Sequence, residues 1–288
     1  MDITFKRPAL EDRDTILKHL AERKLHGCER TFANVYLWAR FYQEGWAEIE
    51  GTAVFRTGQE GAYSYTYPIG AGDRKKVVEM LMEDAKEKGY PFQLHAVSKG
   101  EMEELESYFP GKFNVEWPRD LEDYVYETEK LINLSGKKYH GKKNHLNQFK
   151  AAYPDWKYET ITDENVEECF QMALSWRNHN GCEDDPEKNQ EMCVALNSLR
   201  LFKELHLKGG LLRVNGKVVA YTLGEPVCDD TFVVHIEKAY ADIRGAYTMI
   251  NQQFLEHEVK DYTYVNREED TGDEGLRTAK LSYRPVFM

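Results

Sequence analysis

Residues 262–285, YTYVNREEDTGDEGLRTAKLSYRP, set Asn266, Arg267, Glu268, Glu269 and Asp270 directly after a strand-like YTYV. Arg277 and Lys280 follow on a helix that begins beyond a glycine-bearing turn. Amides and carboxylates bind amino groups, and a guanidinium grips a carboxylate or phosphate as a fork. A lysine on the next helix can neutralise a developing oxyanion or hold a carrier. Two-residue alternation puts Asn266 and Glu268 on one face, and helical spacing puts Arg277, Lys280 and Tyr283 on another. Ligands of open α/β sheets bind where strands end and helix N-termini present free N–H groups. The competing reading is a solvated acidic loop, salt-bridged among Arg267, Glu268, Asp270 and Arg277.

Three other segments carry groups of the same kind. In VVHIEKA, His235 and Glu237 share a strand face and Lys238 takes the other. Glu237 is a candidate general base towards an amine; His235 either shares that role or is a satisfied core histidine. In KAYADIRGAYTMINQQF, a helix starts at Arg244, Gly245, Ala246 and Tyr247, where unpaired N–H groups can meet a carrier's phosphates. That loop has one glycine, so a plain structural turn is its alternative. GKKYHGKKNHLNQFK (136–150) holds Lys137, Lys138, Lys142, Lys143 and Lys150 without an acid, interleaved with His140, Asn144 and His145. Such a local patch suits a phosphate-bearing ligand or the acceptor end of an RNA; a basic linker helix is the other reading.

The elements that would position these groups recur. Strand ITFKRP and helix EDRDTILKHLAERK open the first half, and KYETIT with DENVEECFQMALSWRN open the second. Hairpins follow at Glu50-Gly51 and Asn215-Gly216. Each half then has a third strand, a glycine-bearing loop, an amphipathic helix, a further strand and a last helix. The first half keeps its glycines, Gly70-Ala71-Gly72, but its strand PFQLHAV delivers no polar cluster, so the working site is expected in the second. The expected organisation is 1–130 as one domain, 131–153 as a basic linker helix and 154–288 as the domain with the site.

Bulk properties exclude several classes. A net charge of −12 opposes a general nucleic-acid-binding face. With 41% hydrophobic residues and 18 tyrosines the chain reads as globular. No apolar run approaches the roughly 18 residues of a membrane span, so a cytoplasmic protein is expected. Five cysteines, with no CxxC pair, predict neither a disulfide framework nor a zinc site, and no metal is expected.

The repeated order of elements resembles the fold of the GCN5-related N-acetyltransferases (GNAT), here in tandem: an α/β (α+β) class with two mostly antiparallel mixed sheets flanked by helices. DYVYETEKLINLSGKKYHGKKNHLNQF and YVNREEDTGDEGLRTAKLSYRP resemble bacterial proteins related to the phosphatidylglycerol lysyltransferase C-terminal domain (DUF2156-like). The resemblance implies an acyl- or aminoacyltransferase that moves an activated group from a phosphate-bearing carrier to an amine or hydroxyl acceptor, a small molecule or a lipid. Aminoacyl-tRNA is the donor implied by the nearer relatives, and acyl-CoA (coenzyme A) the donor implied by the wider fold. The expected roles are catalytic for Glu237, His235, Glu268 and Lys280, and carrier-binding for Arg244, Gly245, Ala246 and Tyr247. Substrate binding is expected of Asn266, Arg267, Asp270, Arg277, Lys142, Lys143, Asn144 and His145. A non-catalytic sensor of coenzyme A, a nucleotide or an amino acid is the alternative.

Overall fold

A computed structural model describes residues 3–288, whose packing divides into two units: residues up to Leu25 with Glu29–Pro118, and His26–Cys28 with Arg119–Met288. The first unit has helices α1 (Arg13–Leu20), α2 (Phe32–Trp38), α3 (Arg74–Glu87) and α4 (Lys99–Tyr108). Its strands are β1 (Gly45–Ile49), β2 (Thr52–Thr57), β3 (Ser64–Thr66), β4 (Ile69–Gly70) and β5 (Leu94–His95). The sheet runs β1-β2-β3-β5, with β4 also on β2 and only β3 and β5 parallel.

Glu50 (φ 49°) and Gly51 (φ 76°) both adopt the left-handed conformation that a two-residue hairpin turn requires. That turn explains the glycine-bearing loop. A Cβ on Gly72 would lie 1.9 Å from the Glu50 carbonyl oxygen, and one on Gly70 would lie 2.5 Å from that of Gly51. The glycines therefore admit the hairpin. Helix α3 starts at Asp73, whose carboxylate accepts from the Lys76 N–H.

The second unit comprises β6 (Val125–Glu127), α5 (Thr128–Asn133), α6 (His140–Ala152), β7 (Lys157–Thr160), α7 (Val166–His179) and α8 (Pro186–Arg200). It continues with β8 (Lys208–Val214), β9 (Lys217–Pro226), β10 (Thr231–Ala239), α9 (Ala246–Phe254), β11 (Tyr264–Asn266) and α10 (Glu274–Leu281). The order is β6-β11-β10-β9-β8-β7, antiparallel except for the β10/β11 pair. Leu212, Ala220, Phe232 and Val234 pack with Met249 and Phe254 of α9 in one core, joined by Leu131, Leu146 and Phe149 of α5 and α6. Helix α7 lies against β9 and β10, and α8 packs on α7. Each unit is thus a mixed sheet flanked by helices, so the expected α+β class with two such sheets is what the chain forms.

The expected boundaries need correction. Arg119–Leu134 lies inside the second unit because β6 pairs with β11, in register Tyr264↔Glu127. The segment 131–153 is no linker: Leu146 and Phe149, three apart on α6, are buried in the core, and Lys142, one turn before Leu146, shares their face while Lys143 and Lys150 are exposed. Among the described residues, no helix is long and apolar enough to cross a membrane.

Candidate functional site

Strands β10 and β11 pair only over Thr231–Val233 and Tyr264–Asn266, so from Val234 to Ala239 β10 is paired with β9 alone and its other edge is open. Its register against β9 slips between Val234 and Ile236, which makes His235 an inserted bulge residue. Gly224 faces the bulge; a Cβ there would lie 2.0 Å from the Val233 carbonyl oxygen. The bulge breaks the alternation assumed from sequence, and His235 and Glu237 end in separate networks.

His235 lies between two carboxylates, with Nδ1 2.7 Å from Glu268 Oε1 and Nε2 3.1 Å from Glu225 Oε1. Burial alone would depress this imidazole, but the hydrogen bonds it donates to Glu225 and Glu268, with their charges, outweigh burial and raise the pKa to about 10. At neutral pH it is an imidazolium, not the expected base. A group raised on folding contributes stability in full below its unfolded pKa of 6.5, and that contribution fades as pH rises through about 10. Urea unfolding between pH 6 and 10 should therefore show stability falling by up to about 1.4 kcal/mol per pH unit. His235→Gln should flatten that slope, and an unchanged slope would exclude the assignment.

Glu237 belongs to a second network, at the open end of β10. Arg267 Nη2 donates to its Oε1 over 2.9 Å, and Asn251 of α9 donates to its Oε2 over 3.0 Å. The Arg267 guanidinium lies 4.9 Å from the Tyr283 ring centroid and Lys142 Nζ 3.8 Å from the same centroid. Arg267 Nη1 is buried and hydrogen-bonds none of the described residues. Burial, followed by the nearby Arg267 cation, lowers the Lys142 pKa to about 8, with Glu237 opposing the shift. Four elements thus bring together one carboxylate, two cations and an aromatic face, with a guanidinium N–H still to satisfy. Sequence reasoning missed Asn251, which a polar NQQ run inside an apolar helix signals: all three of those side chains are buried.

Most polar groups of the loop after β11 hold the loop itself. Asn266, fully buried, donates to the His26 carbonyl and to Asp123 Oδ2 and accepts from the Glu268 N–H. Lys280 Nζ donates to the carbonyls of Arg267 (2.7 Å), Glu268 (3.1 Å) and Glu269. Its ammonium therefore fixes the chain that presents Arg267, in place of the expected oxyanion role. Glu268 (φ 59°) and Thr271 (φ 48°) adopt left-handed backbone, a strain those bonds sustain. Asp270, also fully buried, receives Arg277 Nε and Nη2 at 2.9 Å each, together with the Tyr124 hydroxyl and the Gly272 N–H. The Arg277 hydrogen bonds hold its carboxyl well below the usual range. Asp270 and Arg277 follow the scaffold reading; substrate binding is not their geometry.

At the start of α9, Arg244 is exposed and Ala246 buried, while Tyr247 is 38% exposed. Gly245 has a packing reason, since a Cβ there would lie 2.6 Å from the His145 carbonyl oxygen of α6. Lys143 and Asn144 are exposed and His145 half-buried, so Lys142 alone of these four joins the Glu237 network. Two triads among the described residues, His26–Cys228–Asp230 and Cys28–Asp123–Glu269, bring metal-ligand atoms within 4.8 Å of one another, which cysteine spacing did not foretell. Hydrogen bonds already run through both, from His26 Nδ1 to Thr231 Oγ1 (2.7 Å) and from the Cys28 N–H to Asp123 Oδ2 (2.8 Å).

Comparison with known proteins gives one family match, to a model described as phosphatidylglycerol lysyltransferase, C-terminal, over residues 20–287. A crystal structure of a conserved protein of unknown function from Bacteroides thetaiotaomicron is 39% identical, with a TM-score of 0.94 over 100% of this chain and 97% of that one. The structure of L-PGS from Bacillus licheniformis aligns at a TM-score of 0.66 and 15% identity over 98% of this chain and 90% of that one, a likeness of fold. An uncharacterized protein of Mycoplasmoides gallisepticum is 28% identical over 171 residues, 58% of this chain. The match spans about half of that relative's length, 53%.

Proposed function

Since the chain belongs to the phosphatidylglycerol lysyltransferase C-terminal family, we propose that its second unit is a transferase carrying an aminoacyl group from aminoacyl-tRNA to a hydroxyl or amine, with a lipid headgroup as acceptor. The observation that carries this reading is the Glu237–Arg267–Lys142–Tyr283 cluster at the open end of β10. An aminoacyl ester brings an ammonium, a carbonyl that becomes an oxyanion, and nearby phosphate. Glu237 suits the ammonium, and the spare Arg267 N–H suits the oxyanion. Lys142, with a pKa of about 8, suits the acceptor's proton. The acceptor oxygen or nitrogen then attacks the ester carbonyl as its proton passes to Lys142. The bond from acyl carbon to carrier oxygen breaks, and the proton returns to that oxygen.

The packing of α6 against Gly245 favours this donor over acyl-CoA, because the close approach at the α9 N-terminus is already made by the His145 backbone. The deciding experiment incubates the purified chain with radiolabelled aminoacyl-tRNA or acetyl-CoA and phosphatidylglycerol vesicles. Label should reach lipid from the tRNA, and Glu237→Gln should reduce that transfer by about 10²-fold or more while tRNA binding stays within a few-fold. Transfer from acetyl-CoA alone would overturn the donor assignment. Equal loss of binding and transfer in the variant would point to a receptor.

A further inference from the structure

On the side of β10 away from the Asn251 contact, Lys238 is enclosed. Its Nζ lies 4.3 Å from the Trp176 ring centroid and 2.5 Å from Glu191 Oε1, and the residue is 6% exposed. The indole is fixed, because Trp176 Nε1 donates to the Ala239 carbonyl over 2.9 Å. Across the strand pair, Tyr221 is opposite Lys238; its hydroxyl is buried and hydrogen-bonds none of the described residues. An aromatic face, a carboxylate and an unused phenol oxygen make a cage for an alkylammonium ion. The strand's own lysine fills it.

This cage adjoins the proposed site. Lys238 is next in sequence to Glu237, and β10 ends one residue later. The Tyr247 phenol, half in solvent at that end, is within electrostatic reach of both Glu237 and Glu191. Glu237 and Lys238 take opposite faces, but β10 ends at Ala239, whose carbonyl holds the Trp176 indole, so a side chain that extends from an aminoacyl group at Glu237 past the strand end meets Tyr247 and the mouth of the cage.

We propose that Lys238 sets side-chain selectivity: by occupying the Trp176–Glu191 cage in cis it reserves the site beside Glu237 for aminoacyl groups whose side chains carry no positive charge. The inference rests on the aminoacyl reading of that site. An added cation would meet the Lys238 ammonium instead of a vacant carboxylate, so the same fold becomes selective against cationic groups by charge alone. Emptying the cage requires removal of the lysine's stem as well as its ammonium, as in Lys238→Ala.

Calorimetric titration of the full chain tests this with three probes: L-alaninamide and L-lysinamide as aminoacyl mimics, and n-butylammonium, which reads the cage without any aminoacyl contact. The native chain should bind alaninamide at least as tightly as lysinamide and take up no n-butylammonium. K238A should gain n-butylammonium binding and shift its preference towards lysinamide by about 30-fold, a shift that a second substitution, W176A, should erase. A native preference for lysinamide, or a folded K238A that gains no n-butylammonium, would overturn the proposal. If neither amide binds either chain, the aminoacyl reading falls, whereas the n-butylammonium titration still reports on the cage. That difference separates the two failures.

Discussion

Replacing Lys142 by methionine should lower kcat/KM for transfer by about 10²–10⁴-fold and abolish the rise of activity between pH 7 and 9. Burial on α6 and the neighbouring Arg267 bring the Lys142 pKa to about 8, so a large fraction of its amine is neutral just above neutrality. Only the neutral amine accepts a proton. Activity of the native chain should therefore climb with pH and level off above about 8. Lys142→Arg separates proton transfer from charge, since arginine keeps the cation over Tyr283 but does not deprotonate. A pH–rate profile of that variant should be flat over this range, with KM close to native. If Lys142→Arg retained both the rate and the rise with pH, Lys142 would be a binding cation and the base would lie elsewhere.

Gly224→Ala should cost about 3 kcal/mol, the upper part of the range for overpacking, and lower the melting temperature by about 6–10 °C. The obstacle is backbone. The new methyl would meet the Val233 carbonyl oxygen at 2.0 Å and the Phe232 ring at 2.6 Å, and neither is the loose end of a flexible side chain. Relief requires β10 to leave the bulge, and a β10 without the bulge points His235 or Glu237 the wrong way. Activity should accordingly fall further than stability, which parallel thermal unfolding and transfer assays would show. A stable, fully active Gly224→Ala chain would mean that the bulge does not orient Glu237. His235→Gln, with its effect on pH-dependent stability, is independent of this test.

Much of the fold is legible in the chain. Glu50-Gly51 and Asn215-Gly216 fix two hairpins because each pair adopts positive φ, with Asn215 at 49° and Gly216 at 75°. The segment after Val265 carries Arg267, which does reach the Glu237 cluster. Counting by twos failed at His235, since a bulge adds a residue that no composition marks. Asn266, Lys280 and Asp270 looked available because a sequence displays donors and acceptors without the carbonyls and guanidinium groups that consume them. The five lysines of 136–150 concealed the apolar positions of α6, where Leu146 and Phe149 join the core. Lys238 was visible, but the indole and carboxylate around it come from helices far away in the chain.

His26–Cys28 has a consequence for how the second unit can be made. These three residues are synthesised long before the rest of their unit, yet they group with Arg119–Met288. The His26 carbonyl takes the Asn266 amide, and the Cys28 N–H is taken by Asp123. On the ribosome this clip emerges early and waits for Thr231 and Asn266, so the unit closes only near the end of translation. A fragment starting at Arg119 begins life with that seat empty and the Asn266 amide short of an acceptor. Supplying the HGC segment as a separate short peptide, or grafting it to the fragment through a flexible tether, is the way to obtain the unit on its own.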